Sequence, residues 1–118
     1  MNVILFHLTR LVKATGYSYQ GLVAAFKSEP AFAFEVIGAL ILIPTALFLD
    51  QRLFTKALLI SSVLLVLIVE LINSAIEAVV DRISLDKHPL SKKAKDIGSA
   101  AVFLSIINAI ALWTAALI

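Results

Sequence analysis

The sequence lacks several features that would point to a soluble enzyme or a disulfide-bonded protein. It contains no cysteine, which excludes disulfide bonds and metal sites built on thiolates. Its four glycines are too scattered to form the glycine-rich loops that bind phosphates in soluble nucleotide-binding folds. The motifs of soluble protein kinases are also absent. Charged residues make up 15% of the chain, well below the roughly 25% that is usual for globular domains.

What the sequence does contain is an excess of apolar residues. Hydrophobic residues account for 61% of its 118 positions, and the mean hydropathy is +1.02. A soluble domain of this size could not bury so much apolar surface in one core, because small domains have a high ratio of surface to volume. The composition therefore predicts a single integral membrane domain covering residues 1–118.

The apolar residues fall into four segments, each with a helical pattern. Residues 6–27 alternate basic and apolar positions at helical spacing, which predicts an amphipathic helix on the membrane surface. Residues 31–49, 54–80 and 98–118 are long enough and apolar enough to predict three transmembrane helices. The expected fold class is thus an all-α membrane protein.

The distribution of the ten basic residues predicts the orientation of these helices. Eight of them lie in the N-terminal segment and in the loop that follows the second span, and only Arg52 and Lys56 lie on the other side. By the positive-inside rule, the N-terminus and the charged loop are expected in the cytoplasm. The C-terminus is then expected on the periplasmic side.

A polar stripe interrupts the second span near its cytoplasmic end. Glu70, Asn73, Glu77 and Asp81 fall within a wedge of about 80° on a helix that turns about 100° per residue. A charged residue at the centre of a bilayer costs about 3 kcal/mol even on insertion scales. The stripe must therefore face protein, a cation or water rather than lipid.

Several chemical roles for these residues are open on physical grounds. Glu29 and Glu77 lie at a depth where a metal–phosphate could reach them, and carboxylates together with phosphate oxygens suit Mg²⁺. Glu70 could be a general base or a hydrogen-bonded packing residue between helices. Asp81 and Arg82 could be ordinary charges at the level of the lipid headgroups.

Three blocks of the sequence resemble the prokaryotic diacylglycerol kinase family. The most specific is E-x-x-N-S-A-I-E-A-V-V-D-R at residues 70–82, preceded by the run at residues 60–63. The other two are residues 94–101 and residues 13–22, the latter centred on Gly16-Tyr17-Ser18. The family consists of small membrane kinases with three spans that act as homotrimers and transfer the γ-phosphate of MgATP to diacylglycerol, giving phosphatidate.

The resemblance implies a role for each matching position. Glu70 would be the catalytic base, with Asn73 beside it, and Glu29 and Glu77 would hold Mg²⁺. The nucleotide would be contacted by Glu29, Glu77 and the following residues: Arg10, Tyr17, Asp86, Lys87, His88, Lys95 and Asp96. The lipid substrate would be contacted by Glu70 and by a larger set, namely Arg10, Ala14, Thr15, Gly16, Tyr17, Ser18, Tyr19, Val23, Ala24, Ala25, Phe26, Ala31, Phe32, Ala33, Phe34, Glu35, Phe48, Leu49, Asp50, Gln51, Lys56, Ser99, Trp113, Thr114, Ala115, Ala116, Leu117 and Ile118.

The resemblance also implies a bacterial inner-membrane protein with a cytoplasmic active site, ATP and a membrane lipid as substrates, and no nucleic-acid partner. Three alternatives stay open at this point. One is an undecaprenol kinase of the same architecture, which Glu70 alone would not distinguish. The others are a small proton-coupled transporter with Glu70 as its carrier acid, and a purely structural membrane subunit.

Overall fold

The computed structural model describes residues 2–118 and consists of four helices in chain order. These are α1 (Val3–Ser28), α2 (Pro30–Phe48), α3 (Leu53–Ile83) and α4 (Pro89–Leu117). The last three are long enough and apolar enough to cross a membrane. The all-helical expectation, with three candidate membrane spans, is confirmed.

The helix ends follow from local residue chemistry. The side chain of Asn2 accepts a hydrogen bond of 2.9 Å from the backbone N–H of Ile4 and so caps α1. Pro30 occupies the first turn of α2, where its missing N–H costs nothing. The helix also continues through Pro44.

Helix α3 is the longest element and runs beyond the apolar part of its sequence. At 1.5 Å per residue, its 31 residues extend about 46 Å, whereas a hydrocarbon core is about 30 Å thick. Helix α4 likewise begins nine residues before its apolar stretch, at Pro89. The ends of α3 and α4 that face their connection therefore carry charged residues on regular helix rather than on an irregular loop.

Helix α3 lies at the centre of the chain's packing, since it contacts both α4 and α2 along their length. The buried apolar side chains of α3 are Leu59, Val63 and Val66, and those of α2 are Phe32, Ala39 and Ala46. Helix α1 contacts α2, to which it is joined through Glu29 alone. Residues of α3 are thus the ones best placed to be shielded from lipid.

The end of the bundle opposite Glu70 is held by two side-chain contacts to backbone carbonyls. Gln51 Nε2 donates to the carbonyl of Ala116 at 2.9 Å, and Lys56 Nζ donates to the carbonyl of Leu47 at 2.8 Å. These contacts satisfy carbonyl groups in the last turns of α4 and α2, which have no partner within their own helices. They tie the connection between α2 and α3 to the C-terminal turns of the neighbouring helices.

At the other end, α3 and α4 come into close contact where Asn73 meets Gly98. A Cβ atom added to Gly98 would collide with Asn73 Oδ1, and Gly98 itself is buried. Small residues at such a crossing allow two helix backbones to come together in a membrane. Gly98 therefore sets the spacing between α3 and α4 beside the polar stripe.

We expect Gly98→Ala to lower the thermal unfolding midpoint of the detergent-solubilised protein. The added methyl group would push the Asn73 side chain away from Glu77, with which it is hydrogen-bonded, and overpacking of this kind costs about 1–3 kcal/mol. Gly38→Ala is the matched control, because a Cβ at Gly38 meets nothing within 4 Å. Equal unfolding midpoints for the two variants would contradict a close approach at Gly98.

Candidate functional site

The polar stripe of α3 is partly buried within the chain itself. Glu70 is 7% exposed and Asn73 is 8% exposed, so both are shielded by neighbouring helices. Asn73 Nδ2 donates a hydrogen bond of 3.2 Å to Glu77 Oε1, one turn further along the helix. Asn73 Oδ1 is buried against Gly98 without a hydrogen-bond partner. Asn73 thereby fixes the orientation of the Glu77 carboxylate.

Three further carboxyl groups lie around Glu70. The Glu35 carboxyl group on α2 lies near that of Glu70, and its Oε2 atom is buried without a hydrogen-bond partner. Glu29, between α1 and α2, and Glu77 lie close enough for their charges to act on Glu70. Four carboxyl groups from two separate regions of the sequence therefore form one cluster, called here the carboxylate cluster: Glu29, Glu35, Glu70 and Glu77.

The carboxylate cluster offers only part of a metal site. Within residues 2–118, no group of three or more acidic, histidine or cysteine side chains is arranged to hold a metal ion by itself. Mg²⁺ commonly binds through one or two carboxylates and completes its octahedron with water and substrate phosphates. The oxygen donors of Glu29 and Glu77 fit this pattern, and a phosphate-bearing ligand would have to supply the rest.

A cavity of about 690 Å³ lies where α3 passes into α4, on the far side of Glu77 from Glu70. Small-molecule sites typically have volumes of roughly 300–1,000 Å³. Of the residues expected to contact a nucleotide, five line this cavity: Asp86, Lys87, His88, Lys95 and Asp96. The structure thus brings together the predicted residues of the α3–α4 connection and of the first turns of α4.

The cavity also contains polar residues to which the sequence analysis gave no role in binding. These are Asp81, Ser84, Ser91 and Lys92. A helical projection could have identified Lys92, because Lys92, Lys95 and Asp96 lie three and four residues apart on one face of a helix. Asp81 and Ser84 could not be placed in this way, because they belong to the end of α3.

Two ion pairs join the charged residues of the cavity. Lys95 Nζ lies 2.7 Å from Asp81 Oδ1, and this contact links α4 to α3. Lys92 Nζ lies 2.6 Å from Asp96 Oδ2, four residues along the same helix. Both lysines that face the cavity from α4 are therefore matched with a carboxylate.

His88 has a structural contact in addition to its position in the cavity. Its Nδ1 atom accepts a hydrogen bond of 3.1 Å from the backbone N–H of Leu90, which makes His88 the N-cap of α4. An acceptor at this position satisfies one of the N–H groups that the first turn leaves free. Nε2 is then the ring nitrogen that a ligand could reach.

The other predicted contact residues lie elsewhere on the chain. Arg10 and Tyr17 lie on α1, are exposed, and do not line the cavity of this chain; the Arg10 guanidinium lies 5.8 Å from the centre of the Phe6 ring. Of the predicted lipid contacts, Phe32 is 2% exposed and packs in the core, whereas Phe34 is 75% exposed.

A groove between α1 and α3 contains several of the predicted lipid contacts and adjoins the carboxylate cluster. Ser18, Ala24 and Ala25 line it from α1, together with Glu29. By contrast, the predicted lipid contacts Gln51 and Lys56 lie at the opposite end of the bundle. Lys56 is 14 residues before Glu70 on α3, so they are about 21 Å apart along the helix axis.

The fold and site define a class of protein: a small helical membrane protein with buried carboxyl groups next to a charged cavity at one end of its bundle. The chain also matches a known family. Residues 16–117 match the family model described as prokaryotic diacylglycerol kinase, so the chain is a member of that family.

Individual relatives extend this similarity over most of the chain. The chain is 54% identical to a diacylglycerol kinase of Escherichia coli over 105 residues, which cover 89% of this chain and 86% of the relative. It is 51% identical to the diacylglycerol kinase of Pseudomonas aeruginosa over 111 residues, covering 94% and 90% of the two chains. The diacylglycerol kinase of Helicobacter pylori is more distant, at 44% identity over 104 residues, covering 88% and 81%.

We expect His88→Ala to destabilise α4 by about 1 kcal/mol, the usual cost of losing an N-cap acceptor. His88→Asn provides the matched control, because asparagine restores a capping oxygen without the imidazole ring. The measurement is the unfolding midpoint of each variant in the same detergent. If His88→Ala and His88→Asn unfold together at the wild-type midpoint, the cap contributes nothing to stability.

Proposed function

We propose that this protein is a membrane lipid kinase that transfers the γ-phosphate of ATP to the hydroxyl group of diacylglycerol and so forms phosphatidate. The observation that carries this proposal is the carboxylate cluster next to the charged cavity, in a chain whose relatives are named diacylglycerol kinases. A transporter or a structural subunit would have no use for both features. The kinase uses each of them for a separate part of one reaction.

In this proposal, Glu70 is the general base. Its carboxylate accepts the proton of the lipid hydroxyl while the hydroxyl oxygen forms a bond to the γ-phosphorus. The bond between that phosphorus and the β–γ bridging oxygen breaks, and ADP leaves. Glu70 suits this role because it is buried among helices near the end of the apolar part of α3. Asn73 contributes by holding Glu77 in place.

In this scheme, Glu29 and Glu77 would hold Mg²⁺, which would supply charge neutralisation at the phosphates of the nucleotide. The position of Glu77 supports the assignment, because it lies about 10 Å along the α3 axis from Glu70 and about 6 Å before Asp81 at the cavity. Glu77 thus lies between the proposed base and the proposed nucleotide cavity along α3.

The nucleotide would occupy the cavity at the α3–α4 connection. Lys95 supplies positive charge to the phosphates, and Asp86, Lys87, His88 and Asp96 line the same space. Phosphoryl transfer depends mainly on positioning and on charge neutralisation, which this arrangement offers.

A homotrimer in the bacterial inner membrane completes the proposal, with the charged end of the bundle in the cytoplasm. Arg10 and Tyr17 do not line the cavity of their own chain, although they are proposed to contact the nucleotide. Contact with the cavity of a neighbouring copy would give them that role. Extensive exposed apolar surface on α2 and α4 is available to lipid or to other copies of the chain.

We expect Glu70→Gln to reduce turnover by at least about 100-fold, the lower range of general-base contributions. The assay follows labelled phosphate from γ-labelled ATP into phosphatidate, with Mg²⁺, diacylglycerol and detergent-solubilised protein. Arg82→Gln is the control, because it removes an exposed charge from the same helix away from the carboxylate cluster. Full turnover of Glu70→Gln would refute the proposed base, and transfer to undecaprenol in place of diacylglycerol would refute the proposed acceptor.

We also expect MgATP to protect the cavity from chemical labelling. Because the chain has no cysteine, Ser91→Cys places a single thiol on the cavity wall, and Lys93→Cys places one on an exposed surface outside it. Saturating MgATP should slow maleimide labelling of Ser91→Cys several-fold and leave that of Lys93→Cys unchanged. Equal labelling rates with and without MgATP at both thiols would contradict nucleotide binding in this cavity.

A further inference from the structure

Asp81 has no role in the proposed reaction, but its side chain contacts Lys95. Its Oδ1 atom accepts a hydrogen bond of 2.7 Å from Lys95 Nζ. The two side chains are 45% and 42% exposed, so the pair lies at the edge of the cavity rather than fully in solvent. Both residues line the cavity.

This pair differs in kind from the other ion pair of the cavity. Lys92 and Asp96 are four residues apart on α4, and their side chains are 79% and 61% exposed. Such a pair forms on any solvated helix and says little about tertiary structure. The pair of Asp81 and Lys95 spans 14 residues of sequence and connects the two helices that enclose the cavity.

The contact restricts a side chain that is otherwise very mobile. A lysine ammonium group sits on a flexible four-carbon stem and can adopt many rotamers, so an unheld lysine loses entropy when it binds a phosphate. Asp81 lies one helical turn beyond Glu77 on the same face of α3. A lysine held at Asp81 therefore stays on the α3 side of the cavity, one helical turn from the proposed metal ligand Glu77.

We propose that Asp81 is a positioning residue for nucleotide binding, which holds Lys95 so that its ammonium group meets the polyphosphate of a nucleoside triphosphate. This inference rests on the proposed function, in which Lys95 contacts ATP. Asp81 itself does not touch the nucleotide. Substitution of Asp81 should therefore change the affinity for ATP, and only because the Lys95 ammonium group is no longer held in place.

The test compares Asp81→Asn with Asp81→Glu, which keeps the charge, and with Arg82→Gln, which removes a neighbouring charge outside the cavity. We expect Asp81→Asn to raise the KM for ATP about two- to fivefold, the range for a partly exposed ion pair. Its kcat and its KM for diacylglycerol should stay within twofold of wild type. Asp81→Glu should restore most of the affinity, and Arg82→Gln should leave it unchanged.

A double variant tests whether Asp81 acts through Lys95. In a Lys95→Gln background, Asp81→Asn should raise the KM for ATP no further, because the group that it positions is gone. Additive effects of the two substitutions would overturn the inference. An unchanged KM for ATP in Asp81→Asn alone would also overturn the inference. A lower KM would overturn it too, because Asp81 would then act as an anion that competes with the phosphates.

The two proposals fail in distinguishable ways. If Lys95→Gln leaves the KM for ATP unchanged, the nucleotide role of Lys95 is wrong, and the inference about Asp81 falls with it. If Lys95→Gln raises the KM and Asp81→Asn does not, the proposed function stands and only the positioning role is refuted. Unfolding midpoints of all variants, measured in the same detergent, identify any loss that comes from misfolding.

Discussion

The structure depends on one constraint: carboxyl groups on an apolar helix must be kept away from lipid. An ionised carboxylate exposed to hydrocarbon costs several kcal/mol, so Glu70 needs helices on more than one side. Helix α2 brings Glu35 to it, and α4 approaches closely enough to bury Asn73 because Gly98 has no side chain. The central position of α3 in the bundle follows from the same need.

The length of α3 places the residues with different proposed roles at different positions along the helix axis. A helix that ended with the hydrocarbon core would present Glu70 and little else. Because α3 continues to Ile83, it carries Glu77 and Asp81 in line with Glu70 on one face and reaches the charged cavity. A lipid hydroxyl comes from the membrane and a nucleotide phosphate comes from water. A single helix that crosses the boundary between membrane and water can position residues for both.

Much of this could be predicted from sequence, since periodicity and hydropathy report on single helices. The three apolar spans and the face shared by Glu70 and Asp81 both follow from spacing alone. The pairing of Asp81 with Lys95 could not be predicted, because it requires the register between α3 and α4. Hydropathy also marks where α4 becomes apolar, whereas its first turn is set by Pro89 and the capping contact of His88.

The charge of the cavity indicates why a lipid kinase built in this way would depend on a divalent cation. Three lysines and three aspartates line the cavity, so their formal charges cancel. An uncomplexed nucleoside triphosphate, with several negative charges, would meet no net attraction there. Glu29 and Glu77 would add two negative charges beside the cavity. A divalent cation that arrived with the phosphates and was held by these two residues would cancel those charges, and Arg10 would add a positive charge. In the proposed scheme, the affinity of the cavity for a triphosphate would therefore depend on the metal, because the lining residues together carry no net charge.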